Sequence, residues 1–253
     1  MFTPGLVSIS FRKYTPEQII EQAKAAGLCS IEWGSDVHVP PDNPARAKEI
    51  MQRTTDAGLS TAAYGSYYRL GQGADFEPYV ETAAILQAPY IRVWAGTNKS
   101  WQYRPEERAA LVEESRKIGD MAKQAGITVT FEYHSDTLTD DYHSALDLMA
   151  QINHPHVRMY WQPSQFHTFS YNLDGAKAMA PYTKNIHVFH WDAFGRYPLE
   201  QGRSVWLDYL SVFRSFNQNY GALLEFMHDD RLESLIPTAK VLRELIDETE
   251  SAH

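Results

Sequence analysis

Ala26-Gly27-Leu28, Ala57-Gly58-Leu59 and Ala125-Gly126-Ile127 are three copies of one junction, each closing a helical pattern and opening a β-rich run. Glycine just past a helix takes the left-handed conformation that other residues resist, and the apolar residue after it enters a strand. The opposite helix ends are as legible. Thr15-Pro16-Glu17-Gln18 aligns a capping residue, a proline at the first helical position and a capping-box Gln. Pro105-Glu106-Glu107 starts another helix, with acids at the positive end of its dipole.

Working outward from these junctions, strands are expected near Leu6–Phe11, Ser30–Gly34, Ser60–Tyr64, Tyr90–Ala95, Thr128–His134, Val157–Gln162, Asn185–Trp191 and Ala222–Met227. Helical patterns fill 16–26, 44–57, 75–87, 105–125, 140–152, 173–180, 205–217 and 231–248. Several strands are near-continuous apolar runs, as expected when both faces are covered. Eight βα units in 253 residues predict an α/β fold, a (β/α)8 TIM barrel forming a single domain over 1–253. A doubly wound sheet is the competitor, but no Gly-x-Gly-x-x-Gly turn follows the first strand. The longest loops, 35–43 and 192–204, follow strands two and seven and belong to the active face.

Composition excludes several classes. At 13% aromatic residues the chain is not disordered. A net charge of -9 opposes loose binding to nucleic acid or an anionic membrane. No apolar run reaches the ~18–20 residues of a membrane span, and Met1-Phe2-Thr3-Pro4 lacks a signal-peptide start. A lone Cys29 rules out an intramolecular disulfide and points to a reducing, cytoplasmic setting; it is expected to be a small buried hydrophobe. The expected partner is a small molecule, and the oligomeric state, a homo-oligomer included, stays open.

Charges inside barrel strands need partners. Strand five ends Phe131-Glu132-Tyr133-His134 and strand eight Leu224-Glu225-Phe226. Strand six ends Trp161-Gln162-Pro163-Ser164-Gln165 and strand seven His187-Val188-Phe189-His190. Four successive strands thus deliver Glu, Gln, His and Glu to one barrel end, and a divalent metal would neutralise the paired carboxylates.

These residues, with Ser30-Ile31-Glu32-Trp33 and the approach Pro181-Tyr182-Thr183-Lys184-Asn185-Ile186-His187, resemble the xylose isomerase-like TIM barrels. That superfamily holds sugar isomerases and epimerases, inosose dehydratases and metal-dependent apurinic endonucleases. The resemblance covers essentially the whole chain. It implies one divalent ion held by Glu132, Gln162, His187 and Glu225. The chain departs from the pattern in having Gln162 where Asp is usual, which removes a charge, and Gln165 where His is usual. His-x-x-Asp is replaced by His187-Val188-Phe189-His190, which leaves His190 as an alternative ligand. An oxygen-rich set with one imidazole favours Mn²⁺, Mg²⁺ or Co²⁺ over a closed zinc site.

One metal between two carboxylates suits proton abstraction next to a carbonyl, through a metal-stabilised ene-diolate, with Glu132 and Glu225 as acid and base. The leading reading is therefore a metal-dependent isomerase or epimerase of a small sugar or polyol, an enzyme of carbohydrate metabolism. An inosose-type dehydratase shares the first step, and a metal-free sugar-binding barrel is the non-catalytic alternative. An apurinic endonuclease resembles a three-metal site with extra histidines and an Asp-x-His after strand seven. Here Tyr64, Trp94 and Gln165 stand in those places and no such triplet follows, so that reading is rejected. Trp33, Trp94, Trp161 and Trp191 fall at strand ends, where they can stack on a sugar ring or merely pack the mouth. Trp33, Trp94, His134, Gln165, His190, Arg196 and His38 are the candidate substrate contacts. Arg92 within strand four is expected to form an ion pair inside the barrel. Without a Gly-rich phosphate loop after strands seven or eight, the substrate is expected to be unphosphorylated.

Overall fold

Gly27, Gly58 and Gly126 have φ of +69°, +79° and +72°. Each is followed by an amide that reaches back to a carbonyl of the last helical turn: Leu28 to Ala23, Leu59 to Thr54 and Ile127 to Ala122. The three junctions are thus Schellman-type helix ends, and the residue after each enters a parallel strand. In the computed structural model, which describes residues 1–251, the strands are β1 (Phe2–Val7), β2 (Ser30–Gly34), β3 (Ser60–Arg69), β4 (Tyr90–Trp94), β5 (Thr128–Glu132), β6 (Val157–Trp161), β7 (Thr183–Val188) and β8 (Tyr220–Leu224). They close in sequence order, β8 returning to β1 in parallel register from Phe2↔Tyr220 to Leu6↔Leu224. Helices α1 (Pro16–Ala25), α2 (Pro44–Asp56), α3 (Glu77–Ile85), α4 (Pro105–Gln124), α5 (Tyr142–Ile152), α6 (Phe169–Met179), α7 (Arg203–Ser215) and α8 (Leu235–Ser251) alternate with them. This is a (β/α)8 TIM barrel. No described helix is long and apolar enough to cross a membrane.

Three expectations need correction. The first strand ends at Val7, and Ser8–Phe11 is a 3-10 turn. Pro4-Gly5 reads as punctuation, but closure absorbs both residues. Pro4 accepts the Cys29 amide through its carbonyl, and a Cβ on Gly5 would fall 2.5 Å from Ser30 Oγ. α6 begins at Phe169 rather than 173, because Thr168 caps it by accepting from the Tyr171 amide. Cys29 is exposed, not buried, because it sits at the junction on the barrel's lower rim.

The two faces of each strand meet different surroundings. In β5, Val129 and Phe131 pack beneath the helices, while Thr130 and Glu132 point inward. The shell under the helices is continuous and apolar, including Ile31, Trp33, Ile91, Trp161, Trp206 and Phe213. The enclosed space has only a small apolar plug of Val7, Ile9, Ala63, Tyr160 and Leu223. Above it lies charge.

Candidate metal centre and active site

Arg92 enters the barrel from β4 fully buried and bridges two acids. Its Nε donates to Glu32 Oε1 at 2.7 Å, and one terminal nitrogen donates to Glu132 Oε2. This is the ion pair expected of Arg92. Gly65 makes room for it, since a Cβ there would lie 2.6 Å from Glu32 Oε1 and 3.0 Å from an Arg92 nitrogen. Trp94 Nε1 also donates to Glu132 Oε2, which leaves Oε1 on the open side.

His187, near the end of β7, has no exposed surface. Its Nδ1 lies 2.9 Å from Gln162 Oε1, 3.4 Å from Glu225 Oε2 and 3.6 Å from Glu132 Oε1. Its Nε2 lies 3.5 Å from Glu32 Oε2. One ligand atom each from Glu132, His187 and Glu225 fits within 4.8 Å of the others. The group could hold a metal ion, and the Gln162 oxygen lies against the same face of the imidazole.

The electrostatics agree with that fit. Burial disfavours charge on His187, but Glu225, Glu132 and Glu32 outweigh it and raise its pKa well above the usual imidazole value. Burial likewise works against Glu32, yet Arg92 and His187 bring its pKa down to about 2. Glu132 is held low by the same two partners. Three carboxylates face one guanidinium, so two negative charges remain, and a proton on His187 answers only one. A divalent cation held by His187 and the two glutamates in place of that proton would balance the set, and Glu32 beside Nε2 would orient the ring as outer carboxylates do for metal-bound histidines.

Above these groups opens a cavity of about 330 Å³, whose lining includes Glu132, Gln162 and Glu225. Trp94, His134, Gln165, Trp191 and Arg196, all noted in the sequence, also line it. Trp94 stacks on His134 with ring centres 5.3 Å apart. His134 Nδ1 donates to the Ser135 carbonyl at 2.8 Å.

Three candidates lie elsewhere. Trp33 is fully buried outside the barrel, and its indole N–H donates to Thr54 Oγ1 of α2 at 3.2 Å. His38 is 1% exposed and sits between Ser8 Oγ at 3.0 Å and the Tyr14 carbonyl at 3.3 Å. His190 lines a separate recess of about 150 Å³ with Trp191, Trp206 and Tyr209. It lies beyond the end of β7 with its ring against Gly202, and it is not in the metal-capable group. Trp161 likewise belongs to the shell, packed on Trp206, Tyr209 and Phe213.

Sequence reasoning missed Arg12 and Tyr67 in the cavity wall and Glu32 below it. For Glu32 a signal existed: an acid in β2 and a base in β4, both inside apolar strands, are natural partners across a barrel.

A family model described as Xylose isomerase-like TIM barrel matches residues 20–250. The chain belongs to this family. Among curated relatives, a 3-dehydroshikimate dehydratase of Bacillus anthracis is 31% identical over 166 residues, 61% of this chain. The chain spans 59% of that relative's length. Among solved structures, the probable 3-DHS dehydratase involved in petrobactin synthesis in Bacillus anthracis superposes with a TM-score of 0.79 at 21% identity, covering 96% of this chain and 99% of that one. D-psicose 3-epimerase with D-fructose gives a TM-score of 0.71 at 15% identity, covering 95% and 97%. At these identities the two structures share the fold of this xylose isomerase-like barrel. The family's named neighbours here are enzymes of the epimerase and dehydratase kinds.

Proposed function

We propose that this xylose isomerase-like barrel is a divalent-metal-dependent dehydratase of a small polyhydroxylated carbonyl compound. The observation that carries the reading is the convergence of Glu132, Gln162, His187 and Glu225 at the floor of one cavity. A bound Mn²⁺, Mg²⁺ or Co²⁺ would be held by these four and would polarise the substrate's carbonyl oxygen. The protein's own groups divide the remaining work. Glu132 is pinned by Arg92 and Trp94 and stays ionised, which suits a fixed ligand. Glu225 has His187 as its one ion-pair partner among the described residues, so its carboxylate suits removal of the proton beside the carbonyl. His134, with Nδ1 committed to Ser135, can deliver a proton through Nε2 to a leaving hydroxyl. The C–H and C–O bonds break, a C=C bond forms, and water leaves.

The sequence alone favoured proton return to carbon, giving an isomer or epimer. Relation to a 3-dehydroshikimate dehydratase supports loss of water instead. 3-Dehydroshikimate is then the first substrate to test. It loses one water to give 3,4-dihydroxybenzoate, which ultraviolet absorbance follows directly. A parallel panel of inososes, D-fructose, D-psicose and hydroxypyruvate in deuterated water reports proton exchange whichever product forms. Glu225→Gln, which removes the base, and His134→Gln, which removes the acid, should keep the fold and lower turnover by about 10²–10⁴-fold, the worth of a positioned acid or base. Isomer without water loss would return the reading to an isomerase. Neither product nor deuterium from any compound, with metal bound, would leave a binding barrel.

A further inference from the structure

The cavity floor is acidic, but one wall carries two guanidiniums, and both lie against Phe226. This residue follows Glu225 directly and has φ of +50°, a conformation costly for a large side chain. Its amide donates to Ser10 Oγ at 2.7 Å, which holds the turn. Arg196 sits 4.6 Å from the Phe226 ring centre and 4.8 Å from that of Trp191, and Arg12 sits 5.9 Å from Phe226. Arg12, Arg196, Trp191 and Phe226 line the same cavity as Glu132 and Glu225.

The two arginines are not equivalent. Arg12 is spent: Nε meets Asp36 at 2.5 Å, one terminal nitrogen meets the Tyr67 hydroxyl, and the other reaches the Ile9 carbonyl at 3.4 Å. Arg196 makes one hydrogen bond among the described residues, from a terminal nitrogen to Asp230 at 2.6 Å. Its remaining side-chain N–H groups have no partner among the described residues. The pair with Asp230 is a surface one, the acid being 63% exposed, and such pairs are weak and readily exchanged. The Trp191–Arg196 bridge and the Asp192 side chain, which accepts from the Phe194 and Gly195 amides, hold Arg196 at the wall.

We propose that Arg196 is the anchor for a carboxylate on the substrate. A planar fork lying against the adjoining Trp191 and Phe226 rings, whose centres are 5.6 Å apart, offers N–H groups to a planar acceptor, which suits a carboxylate. No Gly-rich loop follows β7 or β8 to cradle a phosphate. The inference rests on the cavity being the active site proposed above and restricts its substrates to acids, against the neutral sugars that the floor alone would accept.

The test is calorimetric binding of 3,4-dihydroxybenzoate and of its methyl ester to the Mn²⁺-loaded protein. The two share the catechol, so contact with the metal cancels in their ratio and only the carboxylate differs. The unaltered protein should prefer the acid by ~10–100-fold, the range of a hydrogen bond to a charged group. Arg196→Gln should remove most of that preference. Asp230→Asn should strengthen acid binding by freeing the fork, and Asn tolerates the left-handed backbone at 230, where φ is +55°. No preference for the acid in the unaltered protein, or an unchanged preference in Arg196→Gln, overturns the anchor. Because binding needs no turnover, the two proposals fail separately. Acid preference lost in Arg196→Gln without any product upholds the anchor and sinks the dehydratase. Product formation with an unchanged acid-to-ester ratio in Arg196→Gln does the reverse.

Discussion

Phe131 and Glu132 are neighbours in β5, yet one enters the shell beneath the helices and the other the charged interior. The shell is apolar on both sides, so each side chain there answers mainly to volume. Inside, above the Val7–Ala63–Leu223 plug, the side chains answer to charge. Glu32, Arg92, Glu132 and His187 are each at most 2% exposed, and none is neutralised by water. A mistake in the shell leaves a void; a mistake inside leaves an unpaired charge.

The largest expected effects set the two regions directly against each other. Arg92→Met strands Glu32 and Glu132 together and should cost about 3–5 kcal/mol, the range for breaking a buried ion pair. Phe213→Ala in the shell should cost about as much, ~3–5 kcal/mol, through its cavity. Added Mn²⁺ separates them in urea denaturation, because it binds only the folded site. Arg92→Met should gain more stability from the ion than the unaltered protein does, since the ion replaces the lost cation. Phe213→Ala should gain the same as the unaltered protein. Equal gains in all three proteins would show that the interior is not organised around a cation.

A smaller effect sharpens the interior's charge balance. Gln162→Asp adds one carboxylate beside His187 Nδ1 and should tighten Mn²⁺ binding by about tenfold, or ~1.4 kcal/mol. Calorimetric titration with the ion measures it. Unchanged or weaker binding would remove Gln162 from the ligand set.

The smallest effect concerns His38, a histidine outside both regions. Burial lowers its pKa below the usual imidazole value, more than the Tyr14 carbonyl raises it. The unfolded chain therefore takes up a proton near the ordinary value of about 6.5, while the folded one refuses it. The contribution to stability falls as pH drops below that value and stops falling below the folded pKa. His38→Asn should remove up to about 1.4 kcal/mol per pH unit from the slope there. Denaturation curves between about pH 7 and about pH 5 would read it, with the KM for 3-dehydroshikimate unmoved. A KM shift without a change in slope would restore His38 as a substrate contact.

The barrel was legible in the chain because its signals are local. Gly27, Gly58 and Gly126 mark helix ends through their own backbone freedom, and Thr15 to Gln18 form their cap within four residues. The positions of Glu132, Gln162, His187 and Glu225 were legible for a related reason: each breaks an apolar strand near its C-terminal end. Trp33 and His38 misled because burial was invisible. An aromatic residue at a strand end reads the same whether it faces a cavity or a helix, and Thr54 alone reveals which.

The amino-acid sequence by itself determined the order of elements, the face of each strand that carries charge, and the barrel end where those charges gather. These follow from backbone propensity and a two-residue period, which act over a few positions. Only the tertiary structure decided that Arg92 joins Glu32 to Glu132, that His187 rather than His190 meets the two glutamates, and that Arg196 shares a wall with Phe226. Those contacts span 30 to 60 residues of chain, and the curvature and register of the closed barrel bring them together. No local preference encodes them.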